Sequence, residues 1–273
     1  MESYFFLPAS KLNKLQELRK LKIKEFIIDF EDAIKASQRN IFFLELNSLS
    51  NSKEFYLRVP LHSLTNEDKL DLALISEFIE QGYTKFVFPK ITSTNQFEQV
   101  LKTLKTAALE IILLVETPRL YLELQSTILN YQKNLTGIGL GSHDFMSIVG
   151  GKHTLKNLEV VRQNILYLAK SCNITSIDIA SMDINDKESF KEEVLDGFNK
   201  GYEAKFIIHP KQFNIINSIQ FYSEGEYTQA LKIEEELSKL ENKKEFNPIV
   251  LDGKIIEQPH INRAKQILKN YKK

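Results

Sequence analysis

The feature that most restricts the fold is a set of eight short, almost uninterrupted apolar runs separated by longer polar–apolar segments. The runs are YFFLP (4–8), EFIIDF (25–30), EFYLRV (54–59) and KFVFPK (85–90), then EIILLVE (110–116), LTGIGLG (135–141), SIDIAS (176–181) and KFIIH (205–209). A strand covered on one face alternates apolar and polar residues, whereas one covered on both faces does not. These runs therefore predict parallel strands buried between other layers. The segments between them have helical spacing. Leu70, Leu74 and Phe78 recur four apart in 67–82, which closes on Gly82, and 157–172 and 186–201 show the same spacing. Strands alternating with helices in this way predict an α/β chain folded as a (β/α)8 TIM barrel. A doubly wound open sheet is the alternative.

The chain continues past the eighth run. Residues 224–244 have a helical pattern, 247–259 read as a short turn region, and a last helix follows with a lysine-rich end. The expected division is a barrel over 1–223 and a C-terminal extension over 224–273, with too little core to stand alone and therefore packed on the barrel or on a neighbouring subunit. One internal echo, EQGYTKFVFPK against NKGYEAKFIIHPK, suggests a reused helix–strand unit.

Thirty-six basic residues balance thirty-six acidic ones, so no global field favours nucleic acid or a membrane surface. Cys172 is the only cysteine, which excludes an intrachain disulfide and makes a reducing compartment the default. The start, MESYFF, has no basic segment or long apolar core, and the longest apolar run, 111–115, is far short of the roughly 20 residues a membrane helix needs. A cytoplasmic location is expected.

Barrel enzymes carry their chemistry at the carboxyl ends of the strands. Here those ends hold Asp29, Glu31 and Asp32, then Arg58, Lys90, Glu116, Asp144, Ser181 with Asp183, and His209. Each has a plainer reading. Asp32 would N-cap a helix beginning near Ala33, and Arg58 and Lys90 would neutralise the acids structurally. Asp29, one pleat step deeper, would be structural. Glu116 is harder to explain in this way, because a carboxylate following five apolar residues needs a partner, a proton or a metal. His62, His143, His153 and His260 are scattered and form no metal-ligand pattern. GIGLGS lacks the G-x-G-x-x-G spacing, and neither a P-loop nor a G-x-S-x-G elbow occurs. Oxygen ligands from Glu116 and Asp144, completed by waters, suit Mg²⁺.

Taken in order, SYFFLP, IIDFEDAI, LRVP, VFPK, LLVETP, GLGSHDF, KFIIHPKQ and LDGKII resemble the HpcH/HpaI aldolase and citrate lyase group, and most of all its citrate lyase β-subunit-like branch. The resemblance runs from residue 3 to about 256. It implies a (β/α)8 barrel, a homotrimer or hexamer, Mg²⁺, and carbon–carbon cleavage or Claisen-type condensation of a small oxo- or hydroxy-acid or its CoA thioester. It places the metal on Glu116 and Asp144, the substrate carboxylate on Arg58 with Lys90 as a second binding candidate, and support for both on Glu31 and Asp32. A C-terminal aspartate supplied across a subunit boundary falls on Asp252, the candidate base.

The departures concern the substrate. Glu2 stands where CoA-using members have arginine before Ser3, Pro8-Ala9-Ser10 replaces Pro-Gly, Pro60 replaces an asparagine, and Ala204 replaces a glycine. An acid repels an anion and a lost glycine hinders close backbone approach, which counts against a CoA thioester. The rival expectations are thioester hydrolysis on the same site and a non-catalytic binding subunit.

Overall fold

The computed structural model describes residues 1–63, 69–104, 109–239 and 249–271, which form two compact units, Met1–Asn217 and Ser218–Lys273. In the first, each apolar run becomes a strand: β1 (Glu2–Pro8), β2 (Glu25–Asp29), β3 (Tyr56–Arg58), β4 (Lys85–Phe88), β5 (Glu110–Val115), β6 (Leu135–Leu140), β7 (Thr175–Asp178) and β8 (Ala204–Ile207). All neighbours pair in parallel, and β8 returns to β1 through Glu2↔Ala204 to Phe5↔Ile207, so the sheet closes into a barrel. That closing pair excludes the open-sheet alternative.

The helices of this unit are α1 (Leu15–Arg19), α2 (Arg39–Ser48), α3 (Ala73–Glu80), α4 (Thr94–Leu104), α5 (Pro118–Thr127), α6 (Ser142–Val149), α7 (Leu155–Cys172), α8 (Lys187–Lys200) and α9 (Pro210–Ser218). The helix expected over 67–82 starts only at Ala73, and its first two residues lie outside the described ones. Side chains alternate along a strand, so every second residue faces the barrel axis. Tyr4, Ile27, Tyr56, Val87, Ile112, Leu114, Ile177, Ala204 and Phe206 form that inner core. Gly139 makes room for it, since a Cβ there would strike the Phe206 ring.

Out-of-phase residues face the helices instead. Asp178, next to Ile177, is fully buried and takes two hydrogen bonds from Arg162 of α7, at 3.0 and 2.8 Å. Lys205 of β8, also fully buried, joins Glu193 of α8 at 2.6 Å and Asp178 at 3.7 Å. This ion network ties α7 and α8 to the wall of the barrel.

The helix expected to begin near Ala33 does not form there. After β2 the chain turns through Asp32 and Ala33, and α2 begins at Arg39. An N-cap carboxylate must aim at the backbone N–H groups that follow it, but Lys90 holds Asp32 instead, at 2.9 Å. Asp32 therefore caps nothing among the described residues.

The second unit pairs α10 (Glu224–Ser238) with α11 (Gln258–Asn270) and carries a hairpin of β9 (Ile249–Leu251) and β10 (Lys254–Ile256). Residues 240–248 and 272–273, which include the end of the helix expected over 224–244 and the start of the turn region, lie outside the described ones. Asp252 and Gly253 form a two-residue turn with φ of 50° and 76°, as an Asp-Gly pair favours. No helix among the described residues is long and apolar enough to cross a membrane.

Candidate active site

The phase of each strand decides which end residues meet. Asp29 is in step with inward Ile27, Arg58 with Tyr56, and Glu116 with Ile112 and Leu114, so all three carry their side chains over the barrel axis. Asp29 and Arg58 are also Cα partners in the β2–β3 register. Arg58 donates from Nε and Nη2 to the two Asp29 oxygens at 2.9 and 2.6 Å. Its Nη1 lies 3.2 Å from Glu31 and 3.6 Å from Asp32, while its guanidinium sits over the Phe6 ring. Asp29, expected to be merely structural, is thus the main partner of Arg58. The edge the guanidinium leaves for a ligand is the Nη1–Nη2 side.

Lys90 answers from just past β4. Its ammonium reaches Glu31 at 3.0 Å and Asp32 at 2.9 Å. Its φ of 54° lies in the left-handed region, uncommon for a lysine, and its backbone N–H is given to Glu116. Lys90 therefore holds three acids in place. Burial works against ionising Asp32, but the Lys90 hydrogen bond and the charges of Arg58 and Lys90 outweigh it, so Asp32 titrates below its ordinary range. Glu31 goes the other way. Burial, assisted by the Asp32 charge, lifts it to about 7 against Arg58 and Lys90. Although Arg58 is near, no donor among the described residues is aligned on the buried Glu31 Oε2.

Glu116 is 2% exposed and makes no ion pair among the described residues. Burial first, then the charges of Glu31 and Asp144, push it up to about 8, with the Lys90 N–H opposing. Gly141, whose N–H bonds Val115 O at 3.0 Å, sits against it; a Cβ at 141 would collide with the Glu116 side chain. Asp144 follows in the first turn of α6. Its neighbour His143 stacks on His153 at 3.9 Å, and His153 bonds Ser142 Oγ at 2.9 Å, so the start of α6 is braced from outside.

Asp32, Glu116 and Asp144 line two clefts at once. One, about 490 Å³, lies over the axis between Phe6, Arg58, Leu114, Ala180 and Phe206. The other, about 480 Å³, is bounded by Arg39, Pro60, His62, Thr92 and Thr117. The structure thus brings Glu31, Asp32, Arg58, Lys90, Glu116 and Asp144 to one mouth. Other strand-end candidates do not join them. His209 accepts the Lys211 N–H through Nδ1, Asp183 caps the loop before α8, and Ser181 offers its carbonyl to Gln212. Asp252 belongs to the second unit, where it pairs with Lys232 at 2.8 Å. Asp29, Phe6 and Arg39 are the neighbours that sequence reasoning did not select.

A model of the HpcH/HpaI aldolase/citrate lyase family matches residues 2–210. The chain belongs to that family. The citrate lyase β subunit of Haemophilus influenzae is 23% identical, covering 99% of this chain and 96% of its own. A (3S)-malyl-CoA thioesterase of Cereibacter sphaeroides is 25% identical, covering 97% and 93%. The crystal structure of CitE from Mycobacterium tuberculosis with magnesium, acetoacetate and coenzyme A superposes with a TM-score of 0.78 at 20% identity, covering 98% of this chain and 97% of that one. At that identity the likeness establishes the shared barrel. HpcH/HpaI membership narrows the chemistry to aldolase- and lyase-like reactions, with thioester hydrolysis among the relatives.

Proposed function

We propose that the protein is a Mg²⁺-dependent carbon–carbon lyase acting on a small oxo- or hydroxy-acid or its thioester. The observation that carries the reading is Glu116, a buried carboxylate beside Asp144 and the unsatisfied Oε2 of Glu31, with no cationic partner among the described residues. Such a group calls for a cation. No cluster of three or more His, Cys, Asp or Glu suited to a metal occurs among the described residues, and Mg²⁺ is commonly held by one or two carboxylates. Glu116 and Asp144 would hold it, and Glu31 would support the waters that complete its shell. Magnesium-bound relatives, including a citrate lyase β subunit with oxaloacetate and magnesium from M. tuberculosis, support the choice.

When bound, the ion supplies Lewis-acid stabilisation of negative charge on oxygen. The protein's own residues do the rest. Asp29 fixes Arg58 so that its outer edge receives the substrate carboxylate and sets the direction of the scissile bond. Glu31 and Asp32, held by Lys90, keep that edge in register. Asp252 takes the hydroxyl proton as the carbon–carbon bond breaks, leaving a carbonyl on one fragment and the bonding electron pair on the other, which is then protonated. Asp252 comes from a second copy in a homotrimer or hexamer. The exposed cross-strand pair Val250 and Ile255 beside it, and exposed Leu122, Ile148 and Val149 on α5 and α6, are apolar surfaces suited to such an assembly.

Thioester hydrolysis is the second reading. It is favoured by the Cereibacter relative and by a basic rim. Lys11 lines the axial cleft, and His209, partly buried and close to Lys211, Lys11 and Lys14, has a lowered pKa. Such a rim suits an anionic carrier. Incubation with Mg²⁺ and malyl-CoA or citramalyl-CoA, with products resolved by chromatography, separates the cases. Glyoxylate or pyruvate supports the lyase; free acid and thiol without a carbonyl product refute it. If no turnover occurs and Glu116→Ala matches the wild type in Mg²⁺ binding, the protein is a binding subunit.

A further inference from the structure

The wall of Asp32, Glu116 and Asp144 serves two clefts, and the chemistry above puts the substrate carboxylate on Arg58 in the one over the barrel axis. The second is not an incidental hollow, because it contains a cation with an uncommitted edge. Arg39, the first residue of α2, is pinned by one hydrogen bond from Nε to Phe30 O at 3.0 Å. Its Nη1 and Nη2 make no hydrogen bond or ion pair among the described residues. The lysine of the same cleft, Lys90, is committed to Glu31 and Asp32, and Arg58 on the axial side is committed to Asp29. The hydroxyls of Thr92 and Thr117 are committed too, to Gln96 and to Thr92 O. Burial lowers the pKa of Arg39, against the charges of Glu31, Asp29 and Asp32, yet an arginine stays protonated. A guanidinium held through Nε presents its remaining N–H groups as a planar fork, the geometry that matches a carboxylate.

We propose that Arg39 is a specificity-determining residue, whose open edge receives a second carboxylate of a substrate whose oxo- or hydroxy-acid end lies at the Glu116–Asp144 wall. The preferred substrate class is therefore a dicarboxylate, with its distal acid group in the outer cleft. The location of the reacting end rests on the lyase reading; the test does not.

Isothermal titration in the presence of Mg²⁺ compares malate with 2-hydroxybutyrate, and 2-oxoglutarate with 2-oxovalerate. Each pair differs by a carboxylate in place of a terminal methyl group. The wild type binds the dicarboxylate of at least one pair about tenfold more tightly or better. Arg39→Gln abolishes that preference and leaves monocarboxylate and Mg²⁺ affinities within about twofold. Arg39→Lys, which keeps the charge without the fork, reduces the preference by about threefold or more and serves if the glutamine variant does not fold. Absence of a preference in the wild type, or a preference unchanged in either variant, overturns the proposal. An Arg39-dependent preference with no measurable Mg²⁺ binding upholds the outer subsite and refutes the metal reading. Intact Mg²⁺ binding with no preference does the opposite.

Discussion

Glu116 is the group whose surroundings are most at odds with its charge, and Glu116→Gln measures that conflict. Without a metal, burial and the charges of Glu31 and Asp144 raise its pKa from 4.5 to about 8. A folded state that holds a proton more tightly than the unfolded chain is favoured at low pH. The contribution is complete below about 4.5, declines as the pH rises, and is gone above about 8. Each pH unit between those values is worth about 1.4 kcal/mol, so ionising Glu116 in the folded protein costs on the order of 5 kcal/mol. Glutamine keeps an oxygen to accept the Lys90 N–H and cannot ionise. In urea unfolding without divalent ions, the variant should match the wild type to about 1 kcal/mol at pH 4.5 and exceed it by on the order of 5 kcal/mol at pH 9. Added Mg²⁺ should stabilise the wild type at pH 9 and leave the variant unchanged. A variant no more stable than the wild type at pH 9, or equal stabilisation of both by Mg²⁺, would refute the reasoning.

Two further substitutions separate scaffold from chemistry. Asp178→Asn removes the partner of a fully buried guanidinium and should cost about 3–5 kcal/mol in urea unfolding while leaving the Mg²⁺ affinity of the folded fraction intact; a loss below about 1 kcal/mol would mean that Asp196 alone satisfies Arg162. Asp252→Asn should lower turnover by about 10²–10⁴-fold with Mg²⁺ binding retained. Asparagine tolerates the positive φ at that turn, so unchanged turnover would remove Asp252 from the mechanism.

The barrel was legible because burial on both faces writes itself into composition. Glu116 was legible for the same reason, being an acid in phase with Ile112 and Leu114. Phase also distinguishes residues that a simple reading of strand ends treats alike. Asp178 and Asp29 each end a strand, yet one is out of step with Ile177 and meets a helix, while the other is in step with Ile27 and meets the site. The Asp29–Arg58 pair itself depends on register, which sequence spacing does not specify. Asp32 shows a different limit. Its capping signal was sound locally, but Lys90, 58 residues away, competes for the same carboxylate. With the cap lost the helix starts later, and Arg39 becomes its first residue, facing a cleft that no linear pattern marks.

The distribution of these pairs bears on which ion the site would accept. Three acids follow or end β2, and two cations, Arg58 and Lys90, are spent on them. That leaves Glu116 and Asp144 as the acids of the wall that form no ion pair among the described residues, and both are oxygen donors. Two carboxylates without an ion pair suit a doubly charged ion, and an all-oxygen set favours a hard one over zinc or copper, which draw on imidazole and thiolate. His143 is the nearest imidazole in sequence, but its ring is stacked on His153, which in turn braces Ser142. Recruiting it as a ligand would break that brace. The same arrangement that raises the Glu116 pKa without a metal thus argues for Mg²⁺ over softer competitors.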